Sequence, residues 1–116
     1  MPKPDKDLER RHFWRVNAPI TVRPVSILAR AVPRRVNDVS LGGLRAFSDE
    51  SYKVGTRLEL ELAFPAGESA TVLAEVVWVD AQPEGALGRY EVGMRYIDAT
   101  APDLALILQA IGPPPP

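Results

Sequence analysis

Cysteine is absent and histidine occurs once, at His12, in a chain of 116 residues. The first absence excludes a disulfide scaffold, thiolate zinc sites and a cysteine nucleophile. The second excludes any site that needs two imidazoles. No apolar run lasts more than a few residues, far short of the roughly 20 that a membrane-crossing helix needs, so no membrane insertion is expected. The N-terminal stretch MPKPDKDLERR is charged and has no apolar core of a secretory signal, which makes the cytoplasm the default location. What remains is 46% hydrophobic and 25% charged, the balance of one ordinary globular domain.

Catalytic patterns are missing as well. There is no P-loop, and no Asp/Glu clustering with the spacing of a carboxylate metal site. Glu59 and Glu61 alternate with leucines, which places them on a solvated strand face. The chain is therefore read as a non-enzyme with no cofactor and no metal.

Charge is uneven. Residues 1 to 35 carry nine Lys/Arg against three Asp/Glu, a net of +6, and residues 36 to 116 carry five against twelve, a net of −7. A basic front end either attracts an anion or docks on the acidic body. The whole-chain pI of about 5.8 argues against non-specific binding of DNA or RNA.

Periodicity predicts strands through most of the chain. Pro19 to Leu28 reads as a first strand, with Ile20 and Val22 on one face and Pro24 marking an edge or a bend. Arg35 to Val39 and Leu44 to Phe47 read as short strands separated by Ser40 to Gly43. Arg57 to Phe64 (RLELELAF) alternates cleanly, Leu58, Leu60, Leu62 and Phe64 against Glu59 and Glu61. Pro65 to Glu68 is a hairpin turn. Ala70 to Asp80 is rich in β-branched residues, and Arg89 to Ile97 completes the set with Gly93 signalling a bulge or a close backbone approach. The period then changes. Leu104, Ile107, Leu108 and Ile111 share a helical face, Thr100 and Asp103 form a capping-box pattern, and Gly112 with the prolines behind it stops the helix. The expected fold is all-β: a small six-stranded antiparallel barrel, with a short C-terminal helix plugging one end. Residues 1–14 are expected to be a flexible basic arm, 15–112 the barrel and helix, and 113–116 a proline tail.

Two stretches carry chemistry. Arg10-Arg11-His12-Phe13-Trp14-Arg15 places Arg11 and Arg15 four residues apart, up to about 13 Å in an extended chain. Two guanidinium forks at that spacing can converge on one anion, and arginine bonds phosphate or the O6/N7 edge of guanine bidentately. A solvated basic tail is the plainer reading, and Phe13 and Trp14 read as anchors to the core. Asn37-Asp38-Val39-Ser40-Leu41-Gly42-Gly43 is a strand end followed by a glycine turn. Asp38 and Ser40 lie on one side, Asp38 can accept from guanine N1–H and N2–H₂, and Gly42 and Gly43 permit positive φ. An ordinary β-turn with Asx chemistry is the plainer reading here.

Together these stretches resemble the PilZ domain family, which binds the bacterial second messenger cyclic di-GMP. Arg11-His12-Phe13-Trp14-Arg15 is similar to its R-x-x-x-R motif before the first barrel strand. Asp38-Val39-Ser40-Leu41-Gly42-Gly43 is similar to its D/N-x-S-x-x-G motif, and RVNAPITV, AEVVWVD and VGMRYID extend the likeness along the chain. The resemblance implies that Arg11 and Arg15 grip the ligand from the arm. It implies that Asp38 and Ser40 hold it from the barrel, with Gly43 keeping the turn open. Arg10 is expected to stack on a guanine or recruit a second ligand molecule. The implied function is that of a stand-alone, non-catalytic adaptor in motility or biofilm regulation, which orders its arm on binding cyclic di-GMP and signals to an unidentified bacterial protein. The alternative is an interaction module of the same fold that binds no nucleotide. A single-strand nucleic-acid barrel with Trp78 and Tyr96 as platforms is disfavoured by the acidic outer positions Glu59, Glu61, Glu75 and Glu91.

Overall fold

A computed structural model of the chain describes residues 16–25 and 33–112. The expected arm with Arg10 and Arg11, Arg15, residues 26–28 of the predicted first strand, the start of the turn after it and the proline tail lie outside the described residues. Seven strands and one helix follow in order: β1 Thr21–Pro24, β2 Arg34–Arg35, β3 Asp38–Val39, β4 Gly43–Ser48, β5 Arg57–Ala63, β6 Ser69–Ala81, β7 Tyr90–Asp98 and α1 Ala101–Ile111. All strand pairs are antiparallel, in the order β2-β1-β5-β6-β7-β4-β3.

The strand count differs from the six expected, and the reason is closure. The predicted strand Arg35 to Val39 is divided between two neighbours. Thr21 and Val22 of β1 pair with Arg35 and Arg34, and the Val36 amide donates to the Ile20 carbonyl at 3.0 Å. One residue later the Asn37 amide donates to the Arg45 carbonyl at 2.7 Å, and β3 continues along β4. The segment from Arg34 to Val39 therefore touches both ends of the sheet and curls it into a barrel, leaving few unpaired edge groups. Pro24 fits because it lies beyond the two-residue ladder with β2, where its missing N–H faces no strand among the described residues.

β5 follows its pattern: Leu60 and Leu62 are fully buried, Phe64 nearly so, and Glu59 is exposed. Each such side chain contributes about 1.5–3 kcal/mol on burial. On the outer face Arg23 of β1 stands opposite Glu61 and donates to it at 2.8 Å. That hydrogen bond holds the Glu61 carboxyl below the usual carboxylate range. The turn after β5 closes with the Phe64 amide on the Glu68 carbonyl at 2.9 Å, Gly67 taking the positive φ of 99° that the turn requires.

Thr100 caps α1 as expected. Its Oγ1 accepts from the Asp103 amide at 3.2 Å, and Asp103 Oδ2 accepts from the Thr100 amide at 3.3 Å. Gly112 ends the helix with φ 78°, its N–H donating to the Leu108 carbonyl. Ile107 is buried in the same cluster as the inward strand residues, with Leu104 and Ile111 packed beside it. Leu108 is not part of that face: it is 50% exposed, and Leu106 and Ala110 pack on the core instead. The apolar contact is centred between the 3- and 4-residue ridges, so Leu108 falls off its edge. Replacing Thr100 by alanine is expected to cost about 1 kcal/mol, read as a lower urea midpoint at unchanged m-value; an unchanged midpoint would show that the cap contributes nothing.

Candidate functional site

The Asp-x-Ser-x-x-Gly stretch is the turn between β3 and β4. Ser40 is fully buried and its hydroxyl is spent on the turn. Oγ accepts from the Gly42 amide at 3.0 Å and the Gly43 amide at 3.2 Å, and donates to the Gly43 carbonyl at 3.3 Å. The Ser40 amide donates to the same carbonyl at 2.8 Å, and the Gly42 carbonyl accepts from Tyr96 of β7 at 3.0 Å. Ser40 is thus the knot of the bend, its hydroxyl enclosed by the turn's own backbone. The two glycines do not use the positive φ that they permit. Positive φ occurs at Gly55, Gly67, Gly85 and Gly112 among the described residues, not at Gly42 or Gly43. Gly43 is extended because it is already the first residue of β4, paired with Arg95 of β7.

Val39 points into the core, so Asp38 before it points outward. There it meets Arg45, its cross-strand partner, whose Nη2 donates to Asp38 Oδ2. Arg45 Nη1 lies 4.0 Å from Glu91 Oε2, and that oxygen accepts from Asn37 Nδ2 at 2.7 Å. Asp38, Arg45, Glu91 and Asn37 form one polar cluster on the outside of the barrel. Asn37 belongs to the stretch singled out above; Arg45 and Glu91 were not singled out as site residues. The signal for Arg45 was its outward position in the Leu44 to Phe47 strand, but its partner depended on the register across the β3–β4 turn.

The chain entering the barrel runs beside this turn. Val16 and Val39 form a two-bond antiparallel bridge, Val16 amide to Val39 carbonyl at 3.0 Å and the reverse at 2.8 Å. Asn17 Nδ2 donates to the Asn37 carbonyl at 2.9 Å, and Asn17 Oδ1 accepts from Arg35 at 3.0 Å. A shallow groove of about 460 Å³ lies alongside, lined by Asn17, Arg35, Asn37, Phe47 and Leu87 among others.

Trp78 is buried but stands apart from the interior cluster. A bulge at Val77 shifts the β6 register, so that Val76 faces Met94 and Trp78 faces Gly93. Val92 and Met94 point inward, so the surface of Gly93 that the indole covers is the outer one. A Cβ at Gly93 would come within 2.1 Å of the ring, so the glycine serves a close approach by the indole, while the bulge lies opposite it in β6. Gly93 also stands opposite Arg45, which puts the indole two strands from Asp38 on the same outer surface.

The barrel interior holds a separate cavity of about 230 Å³ lined by Val22, Leu58, Leu60, Ala46 and Met94, with Tyr52 among the lining residues. Burial pushes the Tyr52 hydroxyl above its ordinary value. This cavity includes none of the motif residues. Among the described residues no group of three His, Asp or Glu side chains could hold a metal, and no helix is long and apolar enough to cross a membrane.

The family model described as "PilZ domain" matches residues 9–112. No curated protein matches the sequence significantly. Among solved structures, the Bacillus subtilis inhibitor of motility MotI (DgrA) is similar at TM-score 0.69 and 20% identity, over 88% of this chain and 49% of that one. Escherichia coli YcgR in complex with c-di-GMP is similar at TM-score 0.67 and 17% identity, over 88% of this chain and 44% of that one. The PilZ domain of YcgR with c-di-GMP is similar at TM-score 0.64 and 17% identity, over 88% of both chains. The chain spans about half the length of the first two.

Proposed function

The chain belongs to the PilZ domain family, and from that premise we propose that it is a non-catalytic receptor and adaptor for cyclic di-GMP. The observation that carries the proposal is the bridge between Val16 and Val39. Val16 directly follows Arg15, the last residue of R-x-x-x-R, and successive Cα atoms are about 3.8 Å apart. Val39 is the central residue of Asp38-x-Ser40. The bridge therefore ties the end of one motif to the middle of the other, as a two-sided site for a single ligand requires.

The ligand carries two phosphates and two guanines. Arg11 and Arg15 supply bidentate donors for phosphate oxygens and guanine O6/N7 edges. Asp38 accepts from N1–H and N2–H₂, the donors that distinguish guanine. Ser40 serves the site through the turn that its hydroxyl knots. Gly43 lets that hydroxyl reach both its amide and its carbonyl. Arg10 stacks on a guanine or engages a second ligand molecule. Ligand bridging arm and barrel orders the arm, and a protein partner in the bacterial cytoplasm reads the altered surface. MotI and YcgR, the one an inhibitor of motility and the other solved with c-di-GMP, support this reading by fold.

Calorimetric titration of the full chain with cyclic di-GMP tests it, with GTP and cyclic GMP as controls. Saturable binding of cyclic di-GMP, at one or two molecules per chain and without comparable binding of the controls, is the expected result. No heat and no saturation at millimolar ligand would leave the fold as an interaction module without nucleotide.

A further inference from the structure

Arg45 is enclosed and incompletely satisfied. Its side chain is 17% exposed and that of Asp38 14%. Of its three nitrogens, Nη2 bonds Asp38, Nη1 lies 4.0 Å from Glu91, and Nε is buried with no hydrogen-bond partner among the described residues. Leaving a buried guanidinium donor unsatisfied is costly. A salt bridge kept only for stability would do as well at the surface, or be replaced by apolar packing. With so little surface of its own, Arg45 has scant area for a ligand. What it touches is Asp38, and what it separates is Asp38 from Glu91. Glu91 is itself held by Asn37. Without the cation between them, Asp38 and Glu91 would face a doubly anionic ligand with that charge unbalanced, and Asp38 would lose a bond that orients it.

Resting on the receptor reading above, we propose that Arg45 is a positioning residue of the nucleotide site. It fixes the Asp38 carboxylate in the orientation that accepts guanine N1–H and N2–H₂, and so sets the preference for guanine over bases that lack the 2-amino donor. Its contribution passes through Asp38 and does not depend on touching the ligand.

The test compares cyclic di-GMP with its inosine analogue, which lacks only the 2-amino groups. Arg45→Met, close in length and uncharged, is expected to lower cyclic di-GMP affinity about tenfold, the effect of losing one charge-assisted partner. Affinity for the inosine analogue falls much less, and in an Asp38→Asn background the same substitution has little further effect. Arg45→Lys keeps the charge without the fork and restores part of the affinity. Crystals of Arg45→Met without ligand are expected to show the Asp38 carboxylate displaced. Equal losses for both nucleotides, a loss that persists beside Asp38→Asn, or an unmoved carboxylate would overturn the role of Arg45 while leaving the receptor standing. A wild-type chain that binds no cyclic di-GMP would remove the receptor, and this role with it.

Discussion

Substituting Arg11 and Arg15 together by alanine is expected to weaken cyclic di-GMP binding by about two to four orders of magnitude. Each charged hydrogen-bonding partner lost costs about 1.5–3 kcal/mol, and each 1.4 kcal/mol is about tenfold in affinity. The two losses add fully only if the guanidinium groups act on separate ligand atoms; shared contacts make the double variant less severe than the sum. The loss is assigned to ligand contacts, so the melting temperature without ligand is expected to stay unchanged. The Lys/Lys double variant separates charge from geometry. It keeps the attraction to a dianion but not the planar fork, so it should recover part of the affinity and keep a strong salt dependence. Titration of the three proteins at two ionic strengths checks this. Wild-type affinity in the Ala/Ala variant would sever the first motif from the site.

The parts of the barrel legible in the sequence are those governed by neighbours along the chain. The alternation of leucine and glutamate in β5 placed Leu60 and Leu62 inside before any partner strand was known. The capping box at Thr100 and Asp103 located the helix start, because both hydrogen bonds close over three residues. The division of Arg34 to Val39 between β1 and β4 was not legible: which neighbour a residue pairs with depends on how far the whole sheet curls. The motif turn was legible in position and not in detail. Glycine permits positive φ without demanding it, and here the Ser40 hydroxyl bonds two successive amides, so the bend is made without it. The Arg45 pairing with Asp38 joins residues seven apart across that turn, and is obvious only once the register is known. Sequence reasoning thus finds which residues carry chemistry, and the fold decides which of them are already engaged with each other.

Gly93 is the position where a single methyl group should do the most damage to the fold. A Cβ there would lie 2.1 Å from Trp78 Cε2 and 2.2 Å from Nε1, well inside contact distance. Trp78 is only 3% exposed, so the ring has no open solvent to swing into. Gly93 cannot retreat either, because it lies mid-strand in β7 between Arg45 of β4 and Trp78 of β6. Gly93→Ala is therefore expected to cost about 1–3 kcal/mol, the usual range for overpacking, and Gly93→Val more. For a domain near 100 residues that is a fall in melting temperature of about 4–8 °C per kcal/mol. Valine is otherwise a better strand former than glycine, which makes the sign diagnostic. In a Trp78→Ala background, itself destabilised by about 3–5 kcal/mol for the lost ring, Gly93→Val should turn neutral or stabilising. A Gly93→Val loss of the same size with and without the indole would mean that the backbone, not the ring, demands glycine. Because Gly93 also faces Arg45, the same variants report on the site: a displaced indole that leaves cyclic di-GMP affinity untouched would show that the outer face of β6 and β7 is insulated from Asp38.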